Sequence, residues 1–161
     1  MNQLVPAGKR PGTELAAPET QDFVTMFIEG QLFGIPVLTV QDVLGPQKIT
    51  RIPLAPREVA GSLNLRGRIV TAIDVRLRLG LKKRAEDKKG MSVVVDQSGE
   101  LYSLMVDQVG EVLSLPAAKF ERNPPTLDPH WRDFSIGIYR LDDKLLVVLD
   151  VGKLLDFTRN E

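Results

Sequence analysis

The chain predicts an all-β fold, built as two small five-stranded β-barrels side by side, each closed by a short helix. Three observations predict it. Short Val-, Ile- and Leu-rich runs recur from Phe23 onward, each broken by Gly, Asp, Gln or Pro, which is the texture of strands and turns. The two halves match each other at a spacing of about seventy residues, too long for a solenoid unit. Five strands also close naturally into a barrel and leave few free edges.

The first candidate strand, Phe23–Glu29, ends at Gly30, and Leu32–Val37 follows at once. Val40–Leu44 stops at Gly45-Pro46. Gly61–Leu65 and Arg68–Ile73 flank Arg66-Gly67, which reads as a tight hairpin turn with Gly67 at positive φ and Arg66 solvated. A charged stretch, Lys82–Gly90, then reads as a solvated linker between barrels. Beyond it come Ser92–Asp96, Leu101–Val106, Val109–Leu115, Phe134–Leu141 and Lys144–Asp150. Short helices are expected over Val75–Leu79 and Val151–Leu155. The boundaries that follow are a flexible tail over 1–21 and a folded domain over 22–157, with subdomains of about 22–81 and 91–157.

The internal match is specific. Residues 30–44 align with 99–113, and six of the fifteen positions are identical, among them Gly30/Gly99, Val40/Val109 and Val43/Val112. Farther on, Gly61, Leu65, Asp74, Val75 and Leu79 align with Gly137, Leu141, Asp150, Val151 and Leu155. The offset grows by seven residues, which fall in the Pro-rich connection 116–133, where extra length costs little. Asp74 and Asp150 invite a reading as a catalytic carboxylate pair. Each, however, directly precedes a helix at the same place in its repeat, which is the position of an N-cap.

Composition narrows the function. Of 161 residues 43% are hydrophobic, and 17 Val, 22 Leu and 8 Ile suffice for a packed core, so the chain is not a disordered or disulfide-framed one. With no Cys and a single His, His130, thiolate chemistry, a His-based zinc site and most redox chemistry are excluded. His130 with Asp128 and Asp133 reads as loop packing beside Trp131 and not as a catalytic cluster. No cofactor or metal is expected. The net charge is zero, yet residues 66–89 carry nine basic against three acidic residues. Arg66, Arg68, Arg76, Arg78, Lys82, Lys83 and Arg84 form a basic patch, but no aromatic stacking platforms accompany it, so single-strand nucleic-acid binding is disfavoured. The longest apolar run, Leu145–Leu149, is far short of a membrane span of ~20 residues, and the N-terminus has no apolar leader. A soluble cytosolic protein is expected.

Function is sought where the repeats differ. Asn64, Arg66 and Gly67 align with Arg140, Asp142 and Asp143, so Gly61-Ser62-Leu63-Asn64-Leu65-Arg66-Gly67-Arg68 belongs to the first repeat alone. Continued through Ile69-Val70-Thr71-Ala72-Ile73-Asp74-Val75-Arg76, this stretch resembles the central motif of CheW-type coupling proteins of bacterial chemotaxis. Their pattern runs G-x-x-N-L-R-G-x-I-hydrophobic-P-hydrophobic-hydrophobic-D-L-R. Leu38–Val43, Thr50-Arg51-Ile52-Pro53 and Leu149–Leu155 resemble further segments of the family in the same order, so the likeness covers about residues 22–157.

The resemblance implies two SH3-like five-stranded β-barrel subdomains sharing a core, in agreement with the duplication. It implies a non-enzymatic adaptor joining the cytoplasmic tips of methyl-accepting chemoreceptors to the regulatory domain of the histidine kinase CheA. Such a protein is cytoplasmic and recruited to receptor arrays; an adaptor of a non-motility chemosensory pathway is the alternative. Carried over by position, Asp42, Val43, Gly61, Asn64, Arg66 and Gly67 fall on the receptor-binding side. Val40, Ile49 and Thr50 fall on the kinase-binding side. Two positions depart from the pattern: Ala72 stands near the usual Pro, and Asp42 is shorter than the usual Glu.

Overall fold

The computed structural model describes residues 19–85 and 88–157. It holds ten strands: β1 (Thr20–Ile28), β2 (Gln31–Pro36), β3 (Val40–Leu44), β4 (Val59–Leu65), β5 (Arg68–Asp74), β6 (Met91–Gln97), β7 (Glu100–Val106), β8 (Gln108–Pro116), β9 (Ser135–Arg140) and β10 (Leu145–Leu149). Three one-turn helices accompany them, α1 (Val75–Arg78), α2 (Pro129–Arg132) and α3 (Val151–Leu154). The expected tail is shorter than 1–21, since β1 already takes up Thr20 and Gln21; the rest of it, 1–18, lies outside the described residues.

The strands form two five-stranded sheets, ordered β8-β1-β2-β10-β9 and β3-β6-β7-β5-β4. Replacing each strand by its repeat equivalent converts one order into the other. Each sheet therefore joins the first two strands of one repeat, β1 and β2 or β6 and β7, to the last three of the other. The contiguous subdomains 22–81 and 91–157 are thus replaced by an exchanged pair, because β2 pairs in parallel with β10 and β7 with β5. Register repeats too: Val147 faces Phe33 as Thr71 faces Tyr102, at the repeat offsets. Sequence similarity reveals the duplication but cannot reveal which copy pairs with which.

Burial explains the texture of the strands. Alternate residues of each central strand point to two apolar faces, so runs such as Val93–Val95 and Leu146–Leu149 are buried without interruption. One face of both sheets forms a shared core that includes Met26, Phe33, Ile73, Val93, Leu104, Ile138 and Val147. The other face of each sheet encloses its own smaller core. Phe23, Leu32, Tyr139, Leu146 and Val148 fill the β1 barrel; Leu63, Val70, Ala72, Val94 and Leu101 fill the β6 barrel. Leu44 of β3 packs on the same cluster as Leu63 of β4, although these strands are opposite edges, so the sheet curls shut. At about 25 cal/mol per Å2 of apolar surface, this double burial is the main stabilising term.

Local chemistry sets the ends. Asp74 caps α1, accepting from the Leu77 N–H at 3.2 Å, and Asp150 caps α3 through Lys153 N–H at 3.1 Å. Both carboxylates are occupied structurally, as their matched positions implied. Gly61 and Gly137 sit at φ +150° and +159°, and a Cβ at either would strike a carbonyl oxygen, that of Thr50 or of Glu121. The inserted connection is more than a loop. Asp128 caps α2, Leu127 is buried, and Trp131 meets Phe33 edge-on at 5.5 Å over the shared core.

Candidate functional site

The hairpin between β4 and β5 projects Arg66 at the edge of the β6 barrel. Arg66 and Gly67 both have positive φ, +50° and +83°, the signature of a type I′ turn whose twist matches its strands. Asn64 Oδ1 accepts from the Gly67 N–H at 2.9 Å and locks the turn. Asp96 does the same for Gly99 at 2.9 Å in the β6–β7 hairpin, so Asn64 positions and does not itself reach out.

From this turn Arg66 extends to Asp42 on β3, Nη2 to Oδ2 at 2.9 Å, so the shorter acid still reaches the arginine. Asp42 is held from the other side by the Val43 N–H, which donates to its Oδ1 at 2.9 Å. The arginine side chain is 76% exposed and the aspartate 24%, so the guanidinium presents most of its donors to solvent. Such a pair is worth only ~0–1 kcal/mol to stability. Its value is to hold a planar, bidentate donor at a fixed place.

The remaining predicted residues separate by burial. Val43 is 39% exposed beside the pair, and its twin Val112 is 58% exposed. Gly61 is buried, and its role is close packing against Thr50. Val40 packs partly buried against the shared core, and Ile49 against the core of the β6 barrel. Thr50 is exposed and bridges to Ser62 through its backbone. Ile69, 76% exposed and paired with Asn64 across the hairpin, was missed by sequence reasoning. The strict alternation of Ile69 and Thr71 against inward Val70 and Ala72 could have marked it.

The basic patch does not survive as one surface. Arg76 is buried and pairs with Glu29 and Asp107 while donating to the Lys82 carbonyl. Arg78 lies between the rings of Phe134 and Phe157, at 4.8 and 4.7 Å, and donates to the carbonyls of Lys153, Leu154 and Asp156 at the end of α3. Both arginines bind the fold together. His130 Nδ1 lies 3.2 Å from Asp128 on the exposed face of α2, a helix-cap contact. Among the described residues no group of three His, Cys, Asp or Glu could hold a metal, and no helix is long and apolar enough to cross a membrane.

Comparison with known proteins agrees with this fold. The model of the CheW-like domain family matches residues 22–159. A chemotaxis protein CheW of Klebsiella aerogenes is 30% identical over 135 residues, 84% of this chain and 81% of that protein. One of Helicobacter pylori is 28% identical over 137 residues, 85% and 82% of the respective chains. The crystal structure of the scaffolding protein TtCheW from Thermoanaerobacter tengcongensis superposes with a TM-score of 0.77 at 30% identity, covering 88% of this chain and 95% of that one.

Proposed function

The chain belongs to the CheW-like family of chemotaxis coupling proteins, and from that premise we propose which of its residues do the coupling. The receptor-binding face is the β3 edge with the β4–β5 hairpin: Asp42, Val43 and Arg66 make contact, while Gly61, Asn64 and Gly67 hold their backbone in place. The partner is the cytoplasmic tip of a methyl-accepting chemoreceptor, a helical hairpin whose polar face meets the guanidinium and whose apolar stripe meets Val43. The regulatory domain of the kinase CheA docks on the side carrying Ile49 and Thr50, with Val40 supporting that side from the core. The protein works in the cytoplasm at receptor arrays and carries out no chemical step.

One observation carries this reading. A solvent-facing arginine pairs with a carboxylate on the opposite edge strand of its sheet, and the repeat equivalent of that arginine is Asp142, so the device serves no symmetric structural purpose. Each contact is weak by itself, and an array gains strength from many simultaneous ones. Calorimetric titration against a receptor-tip fragment and, separately, a CheA regulatory domain tests it. The wild type should bind both. Arg66→Ala should weaken receptor binding about tenfold, about 1.4 kcal/mol, with kinase-domain affinity kept. Equal loss toward both partners, or no binding of the folded wild type to either, overturns the assignment.

A further inference from the structure

The two barrels share strand order and register, yet three equivalent positions at one end of each are filled differently. In the β1 barrel, Phe23, Tyr139 and Phe120 form a chain of ring contacts, with centroids 5.6 Å apart for Phe23–Tyr139 and 5.4 Å for Phe120–Tyr139. The β6 barrel has Ser92, Leu63 and Ile49 at the equivalent places. The equivalence is structural as well as sequential. Ser92 faces Met105 across β6 and β7 as Phe23 faces Pro36 across β1 and β2. A Cβ on Gly61 would meet the Ile49 side chain, as one on Gly137 would meet the Phe120 ring.

All three rings are therefore missing from the mouth of the β6 barrel, and the space stays open. A cavity of about 170 Å3 lies there, with Ile49, Ser92 and Met105 deep within it and Arg84, Lys88 and Lys89 around its mouth. Ser92 is 6% exposed, and Ile49 and Met105 are half-buried, whereas both lysines are exposed. An engineered cavity of roughly 150 Å3 accepts benzene, so this one has room for a single aromatic ring. Its mouth is rigidly placed: Gly90 is buried against the Val106 carbonyl and the Arg84 guanidinium, with no room for a Cβ. Arg84 Nε also donates to the Lys88 carbonyl at 3.0 Å.

We propose that this cavity is a docking pocket for one aromatic side chain of an acidic protein segment. The ring would take the place that Phe23 and Phe120 occupy in the other barrel, and flanking carboxylates would meet the exposed Lys88 and Lys89, Arg84 being already paired with Asp107 at 3.8 Å. Charge complementarity names the partner. The linker 82–89 carries five basic residues against two acidic ones, on a chain of zero net charge. The inference goes beyond the coupling reading. Ile49 is common to both, but the pocket is tested without receptor or kinase, so failure of one leaves the other standing.

The probe is an acidic hexapeptide with one phenylalanine between glutamates, titrated into 15N-labelled full-length protein and followed by amide chemical shifts. Saturable shifts are expected at Ile49, Gly90 and Ser92. Binding should fall at least about tenfold when alanine replaces the phenylalanine. Ser92→Phe, which supplies the ring from within, should abolish the shifts. Should that variant not fold, the exposed double change Lys88→Glu/Lys89→Glu should weaken binding by about tenfold or more. Absence of shifts at these amides overturns the proposal, as does equal binding of the alanine peptide or of a lysine-flanked one. A short oligothymidylate that shifts the same amides as strongly would overturn it in favour of a nucleic-acid site.

Discussion

The β1 and β6 barrels are built to one plan and finished in two ways. They share strand order, parallel junction, helix caps and the glycine that lies against a bridging strand. What they do not share lies at the surface and at the barrel mouths. The β1 barrel is sealed with aromatic rings, whereas the β6 barrel has Ser92 and the aliphatic Leu63 and Ile49 in their place and carries the Asp42–Arg66 pair outside. Shared features make the fold, and the unshared ones lie where the proposed receptor face is.

Core deletion should separate the barrels most strongly. Phe23→Ala removes a ring that is 2% exposed and should cost about 3–5 kcal/mol in urea unfolding, whereas Ser92→Ala at the equivalent place should cost under about 1 kcal/mol. Similar losses at both positions would break the comparison. Next comes the ion cluster. Arg76 with Glu29 and Asp107 stands where the other end of the molecule has Gly152, Ser98 and exposed Leu38. Arg76→Ala removes the closest cation from Asp107, which keeps the Glu29 N–H at 2.8 Å and Arg84 at 3.8 Å, and should cost roughly 1–3 kcal/mol by the same assay, with the loss shrinking in the double variant Arg76→Ala/Asp107→Ala. The two caps should sharpen the comparison by agreeing: Asp74→Ala and Asp150→Ala should each lower stability by about 1 kcal/mol in thermal unfolding.

Much of this was legible in the sequence. All ten strands were found because each is an apolar run ended by a turn residue, and two of the three helices that follow an aspartate, α1 and α3, were found. The exchange of strands between repeats was not legible, since β2 is locally as suited to β5 as to β10. Helix α2 was hidden because its stabilising contact, Trp131 on Phe33, is remote in sequence. At the site, Arg66 and Asp42 were found by their spacing in a family pattern. The positive φ of Arg66 was not, because nothing in an arginine announces it. The fates of Arg76 and Arg78 were equally invisible, for a basic residue reads as solvated until its partners, Glu29 and Asp107 or the end of α3, are folded against it.

The central claim is that the β6 barrel couples through its unshared arginine while the β1 barrel supports it. The most direct measurement compares kinase activation in receptor–CheA complexes assembled with Arg66→Ala or with Asp142→Ala, the exposed repeat equivalent. Both variants should unfold within about 1 kcal/mol of the wild type. The account expects activation to fall about tenfold or more for Arg66→Ala and to stay at the wild-type level for Asp142→Ala. Equal activity of the two variants, whether both kept or both lost, would contradict it.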